Sequence, residues 1–222
     1  MMKYFSVLLF CITMLMSNNG VSQYSLGGGL STFGSFETDF TRYGIHAFYE
    51  APRNEVNSFF IRGTITLPIN FYDSILVEGN PNAPTPPTPF VKTVELRRRT
   101  SLFSVDGGTR VYLFNTYDAG FSVYGGFHLR GILSTYSERL GEYDEGLYSP
   151  QSGAGTLPTS TSLLLGIGGN LGFKHQLPMN GALTFDLVVD LIRRLHDPAA
   201  ILTNEIAPLS FSFNVGYRFD WY

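Results

Sequence analysis

The stretch that decides the fold is Leu209–Trp221, which reads LSFSFNVGYRFDW. Its odd-numbered positions carry only leucine, valine and aromatic side chains, and its even-numbered positions carry serine, asparagine, glycine, arginine and aspartate. Successive side chains of a β-strand point to opposite faces, so the stretch predicts a strand with one apolar and one polar face. A helix would distribute both sets around its surface.

The same apolar face on odd-numbered positions recurs upstream. It is found in the segments 43–49, 59–69, 103–113, 121–133, 163–173 and 183–191. A glycine-rich segment, Tyr24 to Phe36, supplies a weaker first strand. Together these segments predict an all-β chain, an eight-stranded antiparallel up-and-down barrel that needs no helix.

The first 23 residues have the order of a secretory signal peptide. Lys3 precedes an apolar run over 4–16, and polar or small residues follow as far as Gln23. The run is shorter than the roughly 20 residues that a membrane-spanning helix needs. We therefore expect cleavage near residue 22 or 23 and a barrel formed by 24–222.

The only cysteine, Cys11, lies inside that apolar run. Leu8–Cys11 resembles a lipoprotein cleavage box, which gives an alternative in which Cys11 is lipidated, but Phe10 is bulkier than the small residue such a site needs. With the signal peptide removed, the chain has no cysteine for a disulfide. Its stability must then come from packing and backbone pairing.

Composition excludes several classes of protein. Without Lys3, 14 Lys and Arg residues stand against 18 Asp and Glu residues, a formal charge of −4, which gives no general reason to expect a nucleic-acid partner. Aromatic residues make up 15% of the chain and there are 24 glycines, while the mean hydropathy is only +0.05. No apolar run after Gln23 is long enough for a membrane-spanning helix. The pattern favours a barrel whose apolar face meets lipid.

The predicted topology assigns the connections to two sides of the membrane. An even number of strands places both termini on one side, and export makes that side the periplasm. The connections there are short, and the long ones, 71–95 and 136–160, are expected outside the cell. The prolines within 78–90 cannot donate to a strand ladder, so we expect an extended or mobile segment there.

The signal peptide, the alternating strands and the aromatic C-terminal segment Gly216–Tyr222 resemble the small outer-membrane barrels of the OmpA/OmpX type and the porin-family barrels of Bacteroidota. The resemblance implies a Gram-negative outer-membrane protein without a cofactor, inserted by the barrel-assembly machinery. It also implies that the last strand is the recognition signal for that machinery. The signal residues are Phe213, Val215, Tyr217, Phe219, Trp221 and Tyr222. Tyr222 departs from the usual pattern, because it lies out of register with the apolar face.

Charged residues on the polar faces are candidates for the lumen. They are Glu50, Arg62, Asp106, Arg110, His128, Arg130, Asp186 and Asp190. Eight-stranded barrels are just wide enough for side chains, so we expect a structural plug of ion pairs, because unpaired buried charges are costly. The alternative is a small polar conduit or a proton-sensitive gate through His128.

Arginines cluster near strand ends on the predicted outer side. The candidates for contact with lipopolysaccharide are Arg42, Arg97, Arg99, Arg193 and Arg194. Guanidinium groups pair well with phosphate oxygens. The alternative is that these residues are ordinary solvated charges.

Other chemistry has weaker support. The acidic residues between Glu138 and Glu145 lack the spacing of a calcium loop, and the four histidines show no metal-ligand spacing. Ser134 and His196 lie near the predicted outer rim, which keeps open a lipid A-modifying enzyme, but no nucleophile motif surrounds them. A third alternative is a partner-binding barrel, such as an accessory subunit of a secretion or assembly complex.

Overall fold

A computed structural model describes residues 24–36, 38–81, 85, 87–150, 159–178, 181–196 and 208–221. The predicted signal peptide, Cys11 and Tyr222 lie outside these residues. Within the described part of the chain, no helix is long and apolar enough to cross a membrane. The ten strands are β1 (Tyr24–Ser35), β2 (Thr38–Asn54), β3 (Asn57–Thr66), β4 (Ile69–Gly79), β5 (Val91–Phe114), β6 (Phe121–Leu140), β7 (Tyr148–Pro150), β8 (Ser160–Leu177), β9 (Gly181–His196) and β10 (Leu209–Trp221).

Eight of these strands close into an antiparallel barrel, as the alternation predicts. They follow the order β3-β2-β1-β10-β9-β8-β6-β5, and pairing of β3 with β5 closes the ring. β1 pairs with β10 from Tyr24↔Trp221 to Ser35↔Ser210, so the first and last strands are neighbours. The predicted all-β, eight-stranded class is therefore confirmed.

The remaining strands extend the wall beyond one end of the barrel. β4 pairs with Val91–Thr100, the first part of β5, and the short β7 pairs with the far end of β4. Part of the predicted loop 71–95 is therefore strand, and so is part of 136–160. The alternation rule missed β4 because Tyr72 and Leu76 are exposed at even positions while Val77 is buried.

The two ends of the barrel differ in their connections. One end, here called the terminus end, carries Tyr24 and Trp221 together with the short β2–β3, β5–β6 and β8–β9 connections. The opposite end, here called the loop end, carries the β4–β5–β7 extension.

The outer wall of the barrel is apolar, as the alternation predicts. Phe127 and Leu129 of β6 are 78% and 68% exposed, and leucine, isoleucine, valine or phenylalanine occupies most outward positions on the other strands. The outward apolar positions of β6 run from Phe121 to Leu133, about 40 Å along the strand and about 30 Å along the barrel axis for a tilt of about 40°. This height matches the hydrocarbon thickness of a bilayer. We call this surface the apolar belt.

Candidate functional site: the barrel interior and its rim

The barrel interior holds a continuous chain of alternating charges. In order, it runs Arg218, Glu50, Arg110, Asp186, Arg62, Asp106, Arg130, Asp190 and His128. All nine residues are buried. The eight predicted lumen residues are thus brought together in one network, whose role remains a prediction.

The centre of this network is Asp186, which joins two arginines. Its Oδ2 accepts from Arg110 Nη2 at 2.9 Å and from Arg62 Nη1 at 3.3 Å. Arg62 also donates from Nη2 to Asp106 Oδ2 at 2.7 Å and from Nε to the same oxygen at 3.1 Å. Arg110 in turn donates from Nη1 to Glu50 Oε2 at 2.6 Å. Buried charges of opposite sign at these distances compensate much of each other's desolvation cost.

The network pairs arginines with carboxylates throughout. Four guanidinium groups, of Arg62, Arg110, Arg130 and Arg218, face four carboxylates, of Glu50, Asp106, Asp186 and Asp190. Asp190 accepts from Arg130 at 2.5 Å and lies 2.7 Å from His128 Nε2. Arg218 Nε also lies 2.8 Å from Asp220 Oδ1, so charges of opposite sign compensate one another along the network.

Inward-facing glycines make room for the carboxylates. A Cβ on Gly168 would lie 2.3 Å from Asp190 Oδ1 and 2.4 Å from Val189 O, and a Cβ on Gly172 would lie 2.7 Å from Asp186 Oδ1. The glycines on the polar face of β8 therefore allow Asp186 and Asp190 to fit inside a narrow barrel.

Tyrosines pack together inside the barrel at the terminus end. Tyr117, from the β5–β6 turn, is buried, and its hydroxyl is hydrogen-bonded to Ser25 Oγ. Its ring lies under the Arg218 guanidinium, 4.4 Å from the centroid, and packs edge-on against Tyr112. Lys174 Nζ donates to the Tyr117 carbonyl oxygen. Burial raises the pKa of the Tyr117 phenol, so the group stays neutral.

A cluster of buried apolar residues lies inside the barrel toward the loop end. Its members are Phe33, Leu102, Ile132, Leu164 and Ile192. Between this cluster and the charged network is a cavity of about 10 Å³, lined by Ser31, Thr64, Ser104 and Ser212 among others, which has room for roughly one water molecule. The cavity also borders Arg130 of the network and Leu102 and Ile132 of the cluster.

Sequence reasoning missed several parts of this interior. Arg218 belongs to the charged network, and its even-numbered position on the polar face of the last strand was the available signal. Tyr117 lies in a turn, where strand alternation gives no information. The apolar cluster occupies inward positions at the loop end of its strands, where the pattern predicts polar residues.

The predicted rim arginines separate into two groups. Arg42 was predicted to face lipopolysaccharide, and this is wrong: its side chain is buried inside the barrel and Nη2 donates to Thr100 Oγ1 at 2.9 Å. Arg42 is at an even position of β2 and shares the inward parity of Glu50. Arg97, Arg99 and Arg193 are exposed, and Arg194 is half-buried.

The predicted metal and catalytic candidates do not come together in the described residues that can be compared. Among them, no group of three or more His, Cys, Asp or Glu residues could hold a metal ion. Glu138, from the acidic loop, instead accepts from Arg98 Nε at 3.2 Å. Ser134 lies on β6 opposite Leu102 and Ser162. The side chain of His196 lies outside the described residues.

The predicted assembly signal forms part of the apolar belt. Phe213, Phe219 and Trp221 are exposed on the outer face of β10, and Val215 and Tyr217 are half-buried there. The Trp221 ring stacks on Tyr24 with centroids 5.6 Å apart, at the seam where β1 and β10 close the barrel.

No protein-family model matches the sequence, and no curated protein is significantly similar to it. Among solved structures, the chain is similar to Ail, the attachment invasion locus protein of Yersinia pestis, which was solved in complex with the heparin analogue sucrose octasulfate. The sequence identity is 10% and the TM-score is 0.49. The match covers 90% of this chain and 98% of Ail. Neisserial surface protein A matches at 13% identity and a TM-score of 0.49, over 89% and 95% of the two chains. A major outer membrane protein from Thermus thermophilus matches at 14% identity and a TM-score of 0.48, over 90% and 98%. Similarity at this level carries no inference about function.

Proposed function

We propose that this chain is a non-catalytic integral protein of the bacterial outer membrane, with a lumen closed by side chains and a structural or partner-binding role at the cell surface. The observation that carries the proposal is the combination of an apolar belt outside with buried, ion-paired side chains inside. A soluble barrel would reverse this arrangement, with charges outside and apolar residues inside.

The outward apolar surface supports placement in a membrane. Soluble monomers rarely expose contiguous apolar patches larger than a few hundred Å², whereas here leucine, isoleucine, valine and aromatic side chains are exposed on all eight barrel strands. The closed ring pairs every barrel strand on both sides. Closure satisfies the backbone hydrogen bonds that lipid cannot.

The contents of the interior support a barrel that does not conduct. The tyrosines, the charged network and the apolar cluster follow one another along the axis. An ion would have to break hydrogen bonds between buried charges and then cross the apolar cluster. Neither region offers groups that replace the ion's hydration shell.

The connections support an orientation with both termini in the periplasm. The terminus end has short turns and the loop end has the β4–β5–β7 extension, and outer-membrane barrels have short periplasmic turns and longer extracellular loops. In this orientation, β4 presents Tyr72 and Leu76 outside the cell, both exposed. Exposed aromatic and aliphatic residues on a rigid sheet favour a partner-binding role as the second candidate.

Conductance in a planar bilayer tests the closed lumen. We expect the refolded chain to insert without steady single-channel currents. The double variant Y117A/R218A removes only the tyrosine ring and the arginine stacked on it, and because the apolar cluster remains we expect no steady current from that variant either. Steady currents from the unmodified chain would overturn the proposal.

A further inference from the structure

Three outward-facing arginines lie together where β5 and β6 extend beyond the apolar belt. Arg97 of β5 is directly opposite Arg139 of β6, and Arg99 follows two residues along β5 on the same face. Paired strands lie about 4.8 Å apart, and residues two apart on one strand face are separated by about 6.7 Å. All three side chains are exposed, so their guanidinium groups can reach one ligand. We call these residues the arginine cluster.

The charge of the arginine cluster is only partly neutralised. Arg97 Nε pairs with Glu95 Oε1 at 2.7 Å, with both side chains largely exposed, and such pairs contribute little. In the part of the chain that the structure describes, no carboxylate pairs with Arg99 or Arg139. Like charges directly opposite each other on a sheet destabilise it, so an anion placed between Arg97 and Arg139 would relieve a repulsion built into the register.

Arg98, which lies between Arg97 and Arg99 on the same strand, differs from them because two carboxylates neutralise its charge. Its side chain is on the other face of β5, where it pairs with Glu138 at 3.2 Å and with Asp73 at 3.4 Å. Alternate residues of one strand thus differ in their surroundings. The arginine turned to the other face has two carboxylates, and the outward cluster has one carboxylate for three arginines.

The arginine cluster lies just beyond the height where lipid head groups are expected, within reach of its side chains. From the belt toward the loop end, the paired rows of β5 and β6 are Phe103–Leu133, Ser101–Thr135, Arg99–Ser137 and Arg97–Arg139. Arg99 lies about 13 Å along the strand beyond Phe103, and the Arg97–Arg139 row lies about 20 Å beyond it. For a tilt of about 40° these distances are about 10 Å and about 15 Å along the membrane normal. The interfacial layer is about 5–8 Å thick, and a long arginine side chain can reach back toward it.

We propose that Arg97, Arg99 and Arg139 bind the phosphate groups of lipid A in the outer leaflet. Guanidinium forks match phosphate oxygens and form charge-assisted hydrogen bonds with them. Two cationic rows about 6.7 Å apart suit a head group that carries more than one phosphate. Tyr72 contributes to the site, with its ring centroid 5.8 Å from the Arg97 guanidinium carbon. This inference rests on the proposed function, because it requires the loop end to meet the outer leaflet.

Native mass spectrometry of the full chain refolded in zwitterionic detergent tests the site. The probes are bisphosphorylated lipid A, the same lipid after phosphatase treatment, and phosphatidylglycerol. The test variant R99Q/R139Q removes the two arginines without carboxylate partners. The matched control R53Q/K92Q removes two exposed cations outside the cluster. Circular dichroism and heat-dependent gel mobility establish that each variant forms the barrel.

For the unmodified chain we expect binding of bisphosphorylated lipid A over the two other probes. R99Q/R139Q should bind it at least about tenfold more weakly, because each lost hydrogen bond between charged groups contributes about 1.5 kcal/mol or more. R53Q/K92Q should stay within about twofold of the unmodified chain. Equal loss in both variants, no loss in R99Q/R139Q, or equal binding of the phosphatase-treated lipid would overturn the inference. A chain that forms no barrel in detergent would instead contradict the proposed function.

Discussion

Asp186→Asn tests the charged network at its centre. Asp186 is 3% exposed and accepts hydrogen bonds from Arg62 and Arg110. Asparagine keeps the shape of the side chain but removes the charge that both guanidinium groups face. Arg62 and Arg110 then lose the carboxylate that joins them, while the other buried charges stay in place. Breaking a buried ion pair by removing one partner costs about 3–5 kcal/mol, because the remaining charge stays buried without compensation.

The matched control is Asp73→Asn at the surface. Asp73 also accepts from an arginine, Arg98 Nη1 at 3.4 Å, but its side chain is 57% exposed. Exposed ion pairs contribute about 0–1 kcal/mol, so we expect D73N to remain within about 1 kcal/mol of the unmodified protein. The two substitutions make the same chemical change and differ in burial.

Urea unfolding in phospholipid vesicles measures both variants. Trp221 is the only tryptophan and lies on the outer face of β10, so its fluorescence reports insertion and unfolding. The free energy of unfolding should fall by about 3–5 kcal/mol in D186N. A loss below about 1 kcal/mol in D186N, or equal losses in the two variants, would refute the assignment of a tightly coupled interior network.

Three further predictions concern the wall and the terminus end of the barrel. Gly168→Ala places a Cβ 2.4 Å from the Val189 carbonyl oxygen, whereas a Cβ at Gly63→Ala meets nothing within 4 Å. Urea unfolding should therefore show a free energy of unfolding lowered by about 1–3 kcal/mol in G168A and unchanged in G63A. Leu129→Arg puts a charge in the middle of the apolar belt and should lower the free energy of unfolding by about 2–4 kcal/mol in the same assay. Tyr117→Ala should leave the barrel folded by circular dichroism but destabilise it by about 3–5 kcal/mol, because a buried aromatic ring is lost.

The sequence predicts the barrel well because one physical rule acts along every strand. An outward side chain meets lipid and an inward one meets polar neighbours, so alternation encodes both the strand and its orientation. The same rule places Asp106 and Arg130, directly opposite each other on β5 and β6, on the inner face. The rule also places Arg42, at an even position of β2, on the inner face. Its position near the end of the strand alone suggested a rim residue, and that prediction is wrong because the side chain is buried.

The rest of the structure depends on information that alternation does not carry. β4 lies beyond the barrel wall, so its two faces do not separate into a lipid side and an interior side. Its exposed apolar residues, Tyr72 and Leu76, are therefore at even positions instead of odd ones. Tyr117 enters the interior from a turn, and its position is set by tertiary contacts with Ser25, Arg218 and Lys174. Which charge pairs with which is set by strand register across the barrel, and Arg62 and Asp186 are 124 residues apart in sequence.

The most direct test of the central claim is the environment of the belt in a bilayer. In a C11S background, a spin label at Leu129→Cys should be highly accessible to oxygen and poorly accessible to a polar nickel complex, because Leu129 is 68% exposed at the middle of the belt. A label at Asp118→Cys, in the exposed β5–β6 turn, should show the opposite preference. Greater accessibility of the Leu129→Cys label to the nickel complex than to oxygen would contradict a barrel with its apolar face toward lipid.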